Sequence, residues 1–204
     1  RYQQKYLRFE RADAPVSMPR TIANRPREGG CLHFYYDVNP FYVDTLDPEV
    51  ARLFLQAVHE RYVRELGGGF QKLAGFFTDE PQVSRNGIPW SLTLPDAYRA
   101  RWGEDLRLVL PDLFLPGPTA ARTRFRFWVL VRDLFVDGFT RQLYEWCEAH
   151  GTRLTGHMVL EETLLSQLTS NGAVMPHYEY FHIPGMDWLG RRIGDVDSDI
   201  VERI

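Results

Sequence analysis

Short apolar runs alternate along the chain with segments whose apolar positions recur every three or four residues. Leu32 to Tyr36 is such a run, rich in aromatics and ending at Asp37, and it predicts a strand. Asp47-Pro48-Glu49 then marks a helix start, with an acid at the N-cap, proline at the first helical position and a second acid in the first turn. Val50, Leu53, Phe54, Ala57, Val58 and Tyr62 fall on one face at helical spacing, and Gly67 supplies the stop. Leu73 to Phe77 is continuously apolar before Thr78-Asp79-Glu80-Pro81, the pattern of a strand covered on both faces. Pro81 has no ladder N–H to give, so that strand must end there.

The next region, with Pro89, Pro95, Pro111, Pro116 and Pro118, predicts a long excursion with short helices. Thr119 opens a long helix whose buried side is expected to carry Phe125, Trp128, Val129, Phe135, Phe139, Leu143 and Trp146, with His150-Gly151 as terminator. Leu154 to Leu160 predicts a strand ending in Glu161-Glu162. A short helix around Thr163 to Thr169 stops near Asn171-Gly172, and Ala173 to Tyr180 predicts a further strand. Strands alternating with helices imply a parallel sheet with right-handed crossovers. An open doubly wound sheet and a closed barrel both satisfy the pattern. The chain has no Gly-x-Gly-x-x-Gly or Walker loop, so the nucleotide-binding open sheets lose their main support.

The expectation is therefore an α/β chain forming part of a parallel (β/α) TIM-type barrel, with residues 1–204 as one partial catalytic domain. The 204 residues fall short of the roughly 250 a whole barrel takes. With Arg1 as first residue and a polar stretch from Arg191 to Ile204, a piece of a longer polypeptide with further domains is expected.

The formal net charge is −3 and the basic residues are scattered, which argues against a nucleic-acid or anionic-membrane surface. No apolar run approaches the ~20 residues of a membrane helix. Cys31 and Cys147 match no zinc or redox spacing and read as buried free thiols, which with the lack of a visible signal peptide points to a cytoplasmic protein. Aromatic residues make up 14% of the chain. They supply core bulk, and some of them are candidates to line a sugar cleft.

In parallel β/α folds the C-terminal strand ends face the ligand crevice. Asp79 and Glu80 end one strand, and because neighbouring residues point to opposite sides only one can face the crevice. A carboxyl beside Phe76 and Phe77 would be desolvated and suited to proton donation. Glu161 and Glu162 hold the same place on a later strand, giving a second carboxyl for glycoside hydrolysis. The competing readings are a turn cap or arginine partner for Asp79 and Glu80, and helix capping for Glu161 and Glu162. Asp37, His157, His177, Tyr178, Glu179, Trp90 and Trp188 are candidate sugar contacts, each also explicable as packing or structural hydrogen bonding. Two alternatives stay open: a metal-dependent hydrolase built on His157, Glu161, His177 and Glu179, and a non-catalytic carbohydrate-binding fragment. No cofactor is expected. Acids near strand ends leave room for calcium, although no EF-hand-like loop occurs.

The series Phe76-Phe77-Thr78-Asp79-Glu80-Pro81, Pro89-Trp90-Ser91, Trp146-Cys147-Glu148-Ala149-His150-Gly151, Gly156-His157-Met158 and Glu161-Glu162 resembles large bacterial glycoside hydrolases. Gly172 to Pro176 and His182 to Leu189 extend the match, which spans roughly residues 30 to 190. The resemblance is to the alpha-L-rhamnosidase family numbered 106 and to galactosidase-like barrel enzymes. It implies a carbohydrate substrate, a catalytic barrel within a multidomain enzyme, and Glu80 as general acid. It also implies a nucleophile from a later strand. Either Glu161 or Glu162 completes that pair here, or the second carboxylate lies outside the chain.

Overall fold

The computed structural model describes residues 1–85 and 87–187. Three long strands open it: β1 (Gln3–Ala12), β2 (Thr21–Arg27) and β3 (Gly30–Val43). The two-residue loop Glu28-Gly29 joins β2 to β3, with Arg27 paired to Gly30. Gly29 has φ +73, a left-handed conformation that glycine adopts without strain. With β5 (Pro89–Trp90) these strands form an antiparallel sheet in the order β2-β3-β1-β5.

After β3 the chain enters α1 (Pro48–Phe54), capped by the Asp47 carboxylate, which accepts from the Glu49 N–H at 3.1 Å. A wide π-turn, Leu55–His59, leads into α2 (Glu60–Leu66). Gly67 at φ +49 ends it. The buried face departs from the expected one already within α1, before the π-turn. Val50, Ala51, Leu55 and His59 are buried, whereas Leu53, Phe54 and Tyr62 reach the surface, against the face expected from an unbroken 3.6-residue period.

The second sheet is small and parallel, with β4 (Phe76–Asp79), β6 (Leu154–His157) and β7 (Ile183–Pro184) in the order β4-β6-β7. Between β4 and β6 come β5 and the short helices α3 (Leu94–Trp102), α4 (Leu106–Val109) and α5 (Pro111–Phe114). The long α6 (Ala120–Phe135) then turns through a π-segment into α7 (Arg141–Ala149). α8 (Leu164–Asn171) and α9 (Met175–Tyr178) lie between β6 and β7. One contiguous core joins Leu7 and Phe34 of the antiparallel sheet to Leu94, Tyr98, Phe127 and Phe135 of the helices and on to Leu154 of the parallel sheet. Each such fully buried side chain contributes roughly 1.5–3 kcal/mol of transfer free energy.

The parallel TIM-type barrel expected from the sequence is overturned. The first expected strand, Leu32 to Tyr36, sits in the middle of β3 and pairs antiparallel with both neighbours. The Glu28-Gly29 loop folds it back on β2 before any crossover helix can form. Parallel pairing among the described residues is confined to β4, β6 and β7. Ala173 to Tyr180 is not a strand either. Pro176 stands in the first turn of α9, where its missing N–H costs nothing, so the expected alternation of Tyr178 and Glu179 across a sheet does not exist. β6 stops at His157, three residues short of the expected end. On α6 the buried positions are Thr123, Phe127, Leu130, Val131 and Phe135, while Phe125 is 70% exposed. The buried stripe is shifted in phase over the first half of the expected helix, whereas Phe135, Phe139 and Leu143 are buried as expected.

No helix among the described residues is long and apolar enough to cross a membrane. Cys31 and Cys147 are both buried free thiols, and burial pushes the Cys147 pKa up to about 11.

Candidate functional site

The parallel ladder sets Phe76 opposite Leu154, Thr78 opposite Gly156 and Asp79 opposite His157. Alternation puts Phe76 toward the helices, where it stacks on His59 and meets the Trp146 edge. Phe77 and Asp79 face the other way and are 63% and 77% exposed. On β6 the inward residue Leu154 is buried, and His157 follows at the strand end.

Gly156 makes the Asp79–His157 pairing geometrically feasible. Its φ is +140, and a Cβ there would lie 2.0 Å from the Thr78 carbonyl oxygen. Only glycine lets the two strands close at this rung.

Asp79 Oδ1 lies 3.1 Å from His157 Nε2. The other ring nitrogen, Nδ1, is 3.6 Å from Glu161 Oε1. Glu161 is buried, accepting from the Met158 N–H at 2.7 Å and from the Tyr178 hydroxyl at 3.0 Å. Desolvation holds its carboxyl above the usual range, opposed by the Tyr178 and Met158 hydrogen bonds and by the nearby His157. Tyr178 is itself raised, by burial and then by the adjacent Glu161 charge. The loop carrying Glu161 is pinned from both sides. Gln167 Nε2 donates to the Glu161 carbonyl at 2.6 Å, and Asn171 Nδ2 donates to the Val159 carbonyl at 2.7 Å. Helix α8 is capped by Thr163, whose hydroxyl accepts from the Ser166 N–H, so Glu161 is not its cap.

Asp79 and Glu161 therefore lie on opposite sides of one imidazole, Asp79 exposed and Glu161 buried. The hydrogen-bond partner of His157 Nδ1 is the Met158 carbonyl oxygen at 3.4 Å, which accepts its N–H and leaves Nε2 facing Asp79. Beside Asp79 opens a groove of about 580 Å³ whose walls include Tyr2, Phe41, Tyr42, Phe54 and Phe77. Its aromatic lining and terminal carboxyl suit a ligand with flat apolar faces and polar edges.

The expected site residues fall into separate groups. Asp79, His157, Glu161 and Tyr178 come together. Glu80 is not turned into this cluster; it adopts φ +50 and its carboxylate binds the Arg85 guanidinium at 2.6 Å on the surface. Asp37 belongs to the antiparallel sheet, paired with Arg8 at 2.9 Å. Trp90 is buried in the main core, and Glu162 and Glu179 are exposed.

His177 lies fully inside, with Nδ1 2.7 Å from the Thr140 hydroxyl and Nε2 3.4 Å from the Asn171 carbonyl, against Phe135. Burial pushes its pKa down to about 4. Trp188 lies outside the described residues. The four residues of the metal alternative are not gathered, and no group of three or more His, Cys, Asp or Glu among the described residues is placed to hold a metal ion. The groove residues Tyr2, Phe41 and Tyr42 are not among those the sequence pattern singles out. The aromatic pair flanked by Pro40 and Val43 is a visible signal, but its register on β3 depends on a hairpin that the apolar pattern does not reveal.

No protein-family model matches the chain, and no curated protein matches it. Among solved structures it is similar to a rhamnosidase from Novosphingobium sp. PP1Y, with a TM-score of 0.55 and 17% identity over 74% of this chain. The match spans 16% of the length of that rhamnosidase. At this identity the likeness is one of fold alone.

Proposed function

We propose that this chain carries an acid–base centre for glycosidic bond hydrolysis, with Asp79 as the group that meets the sugar. His157 is its proton partner, and Glu161 is the buried acid behind the imidazole. The observation that carries the reading is the Asp79–His157–Glu161 cluster opening through an exposed carboxyl onto an aromatic-lined groove. The fold likeness to a rhamnosidase supports the same reaction class.

Glycoside hydrolysis needs a proton delivered to a departing oxygen and a carboxylate to activate water or attack carbon. Glu161 holds its proton to higher pH than an ordinary glutamate because charging it inside the protein costs desolvation energy. His157 Nε2, 3.1 Å from Asp79, supplies a proton to that carboxylate, which delivers it to the departing glycosidic oxygen while water attacks the anomeric carbon and loses its own proton to solvent. The sequence motif points to Glu80 as the acid. Its engagement with Arg85 moves that role, in this reading, to its neighbour Asp79.

The test uses aryl glycosides, rhamnosides first, with good and poor leaving groups. Asp79→Asn, His157→Gln and Glu161→Gln should each lose about 10²-fold or more on poor leaving groups and less on good ones, as expected for loss of proton donation. Glu80→Gln should lose little. Wild-type kcat/KM in Asp79→Asn would refute the assignment.

A further inference from the structure

The groove beside Asp79 gathers apolar surface that the fold leaves in solvent. Five large apolar side chains on it are exposed: Phe41 at 92%, Phe77 at 63%, Val43 at 45%, Phe54 at 40% and Leu53 at 36%. They come from β3, α1 and β4. Single exposed apolar residues are ordinary, but several gathered on one concave surface mark a ligand groove.

The polar side of the lining is sparse. Among the described residues in the groove wall, Asp79 is the only charged side chain, and no amide, imidazole, guanidinium or ammonium accompanies it. The other polar side chains are the hydroxyls of Tyr2, Tyr42, Thr45 and Thr78, and the Thr45 hydroxyl already donates to the Gln82 carbonyl at 2.9 Å. A sugar ring turned into this groove would press several hydroxyls, each a donor and an acceptor, against rings and branched aliphatics that cannot pair with them. A leaving group needs one polar contact here, at the glycosidic oxygen where Asp79 delivers its proton. The volume of about 580 Å³ is ample, since an apolar cavity of about 150 Å³ already holds benzene.

We propose that this groove binds the leaving group of the substrate, and that this group is an apolar alkyl or aryl alcohol, not a second sugar. The proposal rests on the hydrolytic reading of Asp79 and adds the class of glycoside on which it acts. Asp79 gives its proton to the glycosidic oxygen, the bond from that oxygen to the anomeric carbon breaks, and the alcohol departs along the groove. Water bonds to the anomeric carbon and releases a proton to solvent.

The experiment measures kcat/KM of the full chain on methyl, butyl, hexyl and benzyl rhamnosides and on a rhamnosyl-glucose disaccharide. Affinity for the same compounds is measured by calorimetry in Asp79→Asn. The four simple alcohols leave with similar ease, so differences among them report contact. From methyl to butyl, each added methylene should raise kcat/KM about fourfold, and the disaccharide should stay near the methyl glycoside. Hexyl against benzyl distinguishes a chain from a ring. Phe41→Ser combined with Leu53→Ser removes two walls that are already exposed, so the fold is kept and the butyl-to-methyl ratio should fall about threefold or more. Equal values along the series in both measurements overturn the proposal, as does a disaccharide that matches the butyl glycoside; turnover in either case still leaves Asp79 in its role. Affinity that grows with chain length in the absence of turnover keeps the groove as a site for an apolar group and refutes the hydrolytic reading instead.

Discussion

Replacing Gly156 by alanine tests the rung on which the candidate site is built. The added methyl would stand 2.0 Å from the Thr78 carbonyl oxygen, with the Thr78 carbonyl carbon and nitrogen both at 2.9 Å. These are backbone atoms, so no side chain can swing away. Either β4 and β6 separate by an ångström or more, or the ladder between Phe76–Asp79 and Leu154–His157 is lost. The φ of +140 adds a conformational cost of about 1–3 kcal/mol for any residue with a Cβ.

Together with the clash, the expected destabilisation is about 3 kcal/mol or more. In a chain of this size that lowers Tm by roughly 6–12 °C, readable by circular dichroism and as a lower urea midpoint. Gly29→Ala is the control. Its φ is +73, but no heavy atom lies within 4 Å of the point where its methyl would stand, so it should cost only about 1 kcal/mol of strain. A Gly156→Ala melting point within 2 °C or so of the control would show that the β4–β6 rung can relax freely. Glycine would then not be what holds Asp79 against His157.

Three further outcomes follow from the same structure. Lys5 and Asp44 form a buried ion pair at 3.1 Å, with the ammonium also donating to the Arg1 and Gln3 carbonyls; Lys5→Met should cost about 3–5 kcal/mol by leaving Asp44 uncompensated, and a loss below about 1 kcal/mol in urea titration would contradict it. His177 has a folded-state pKa of about 4 against 6.5 unfolded, so the unfolded state binds the extra proton and the contribution present above pH 6.5 is lost as pH falls toward 4, by about 3 kcal/mol. Buried Asp44 and Glu161, both raised by desolvation, act in the opposite sense, so the check is the difference between wild type and the non-titrating His177→Gln, whose acid slope should be shallower. Tyr178→Phe removes a hydrogen bond that favours ionised Glu161, and the group's titration, followed by carboxyl carbon NMR, should move to still higher pH.

Local signals in the sequence determined a good share of the elements. Asp47-Pro48-Glu49 carries its helix start in three residues, and the cap it announces is the one observed. A strand does precede Pro81, but it runs from Phe76 to Asp79 and leaves Phe77 and Asp79 exposed, where the continuous apolar run predicted a strand from Leu73 covered on both faces. The proline-rich stretch becomes short helices for the same local reason.

What a pattern of apolar residues cannot carry is the partner. Leu32 to Tyr36 has the composition of a strand in either kind of sheet, and only pairing with β1 and β2 makes it antiparallel. α1 turns Val50 and Ala51 to the core and Leu53 and Phe54 outward before the π-turn at Leu55–His59 begins, a phase that packing against the neighbouring elements sets. Tertiary packing also chose among the acids. Glu80 and Asp79 are neighbours in sequence, yet the left-handed φ of Glu80 sends it to Arg85 while Asp79 meets His157. Glu161 reaches the same imidazole from beyond the end of β6, through a loop pinned by Gln167 and Asn171. Strand and helix preferences are set by each residue and its near neighbours, so they can be read along the chain. Which side chains meet is set by long-range closure, where one glycine without a Cβ decides whether two strands come together.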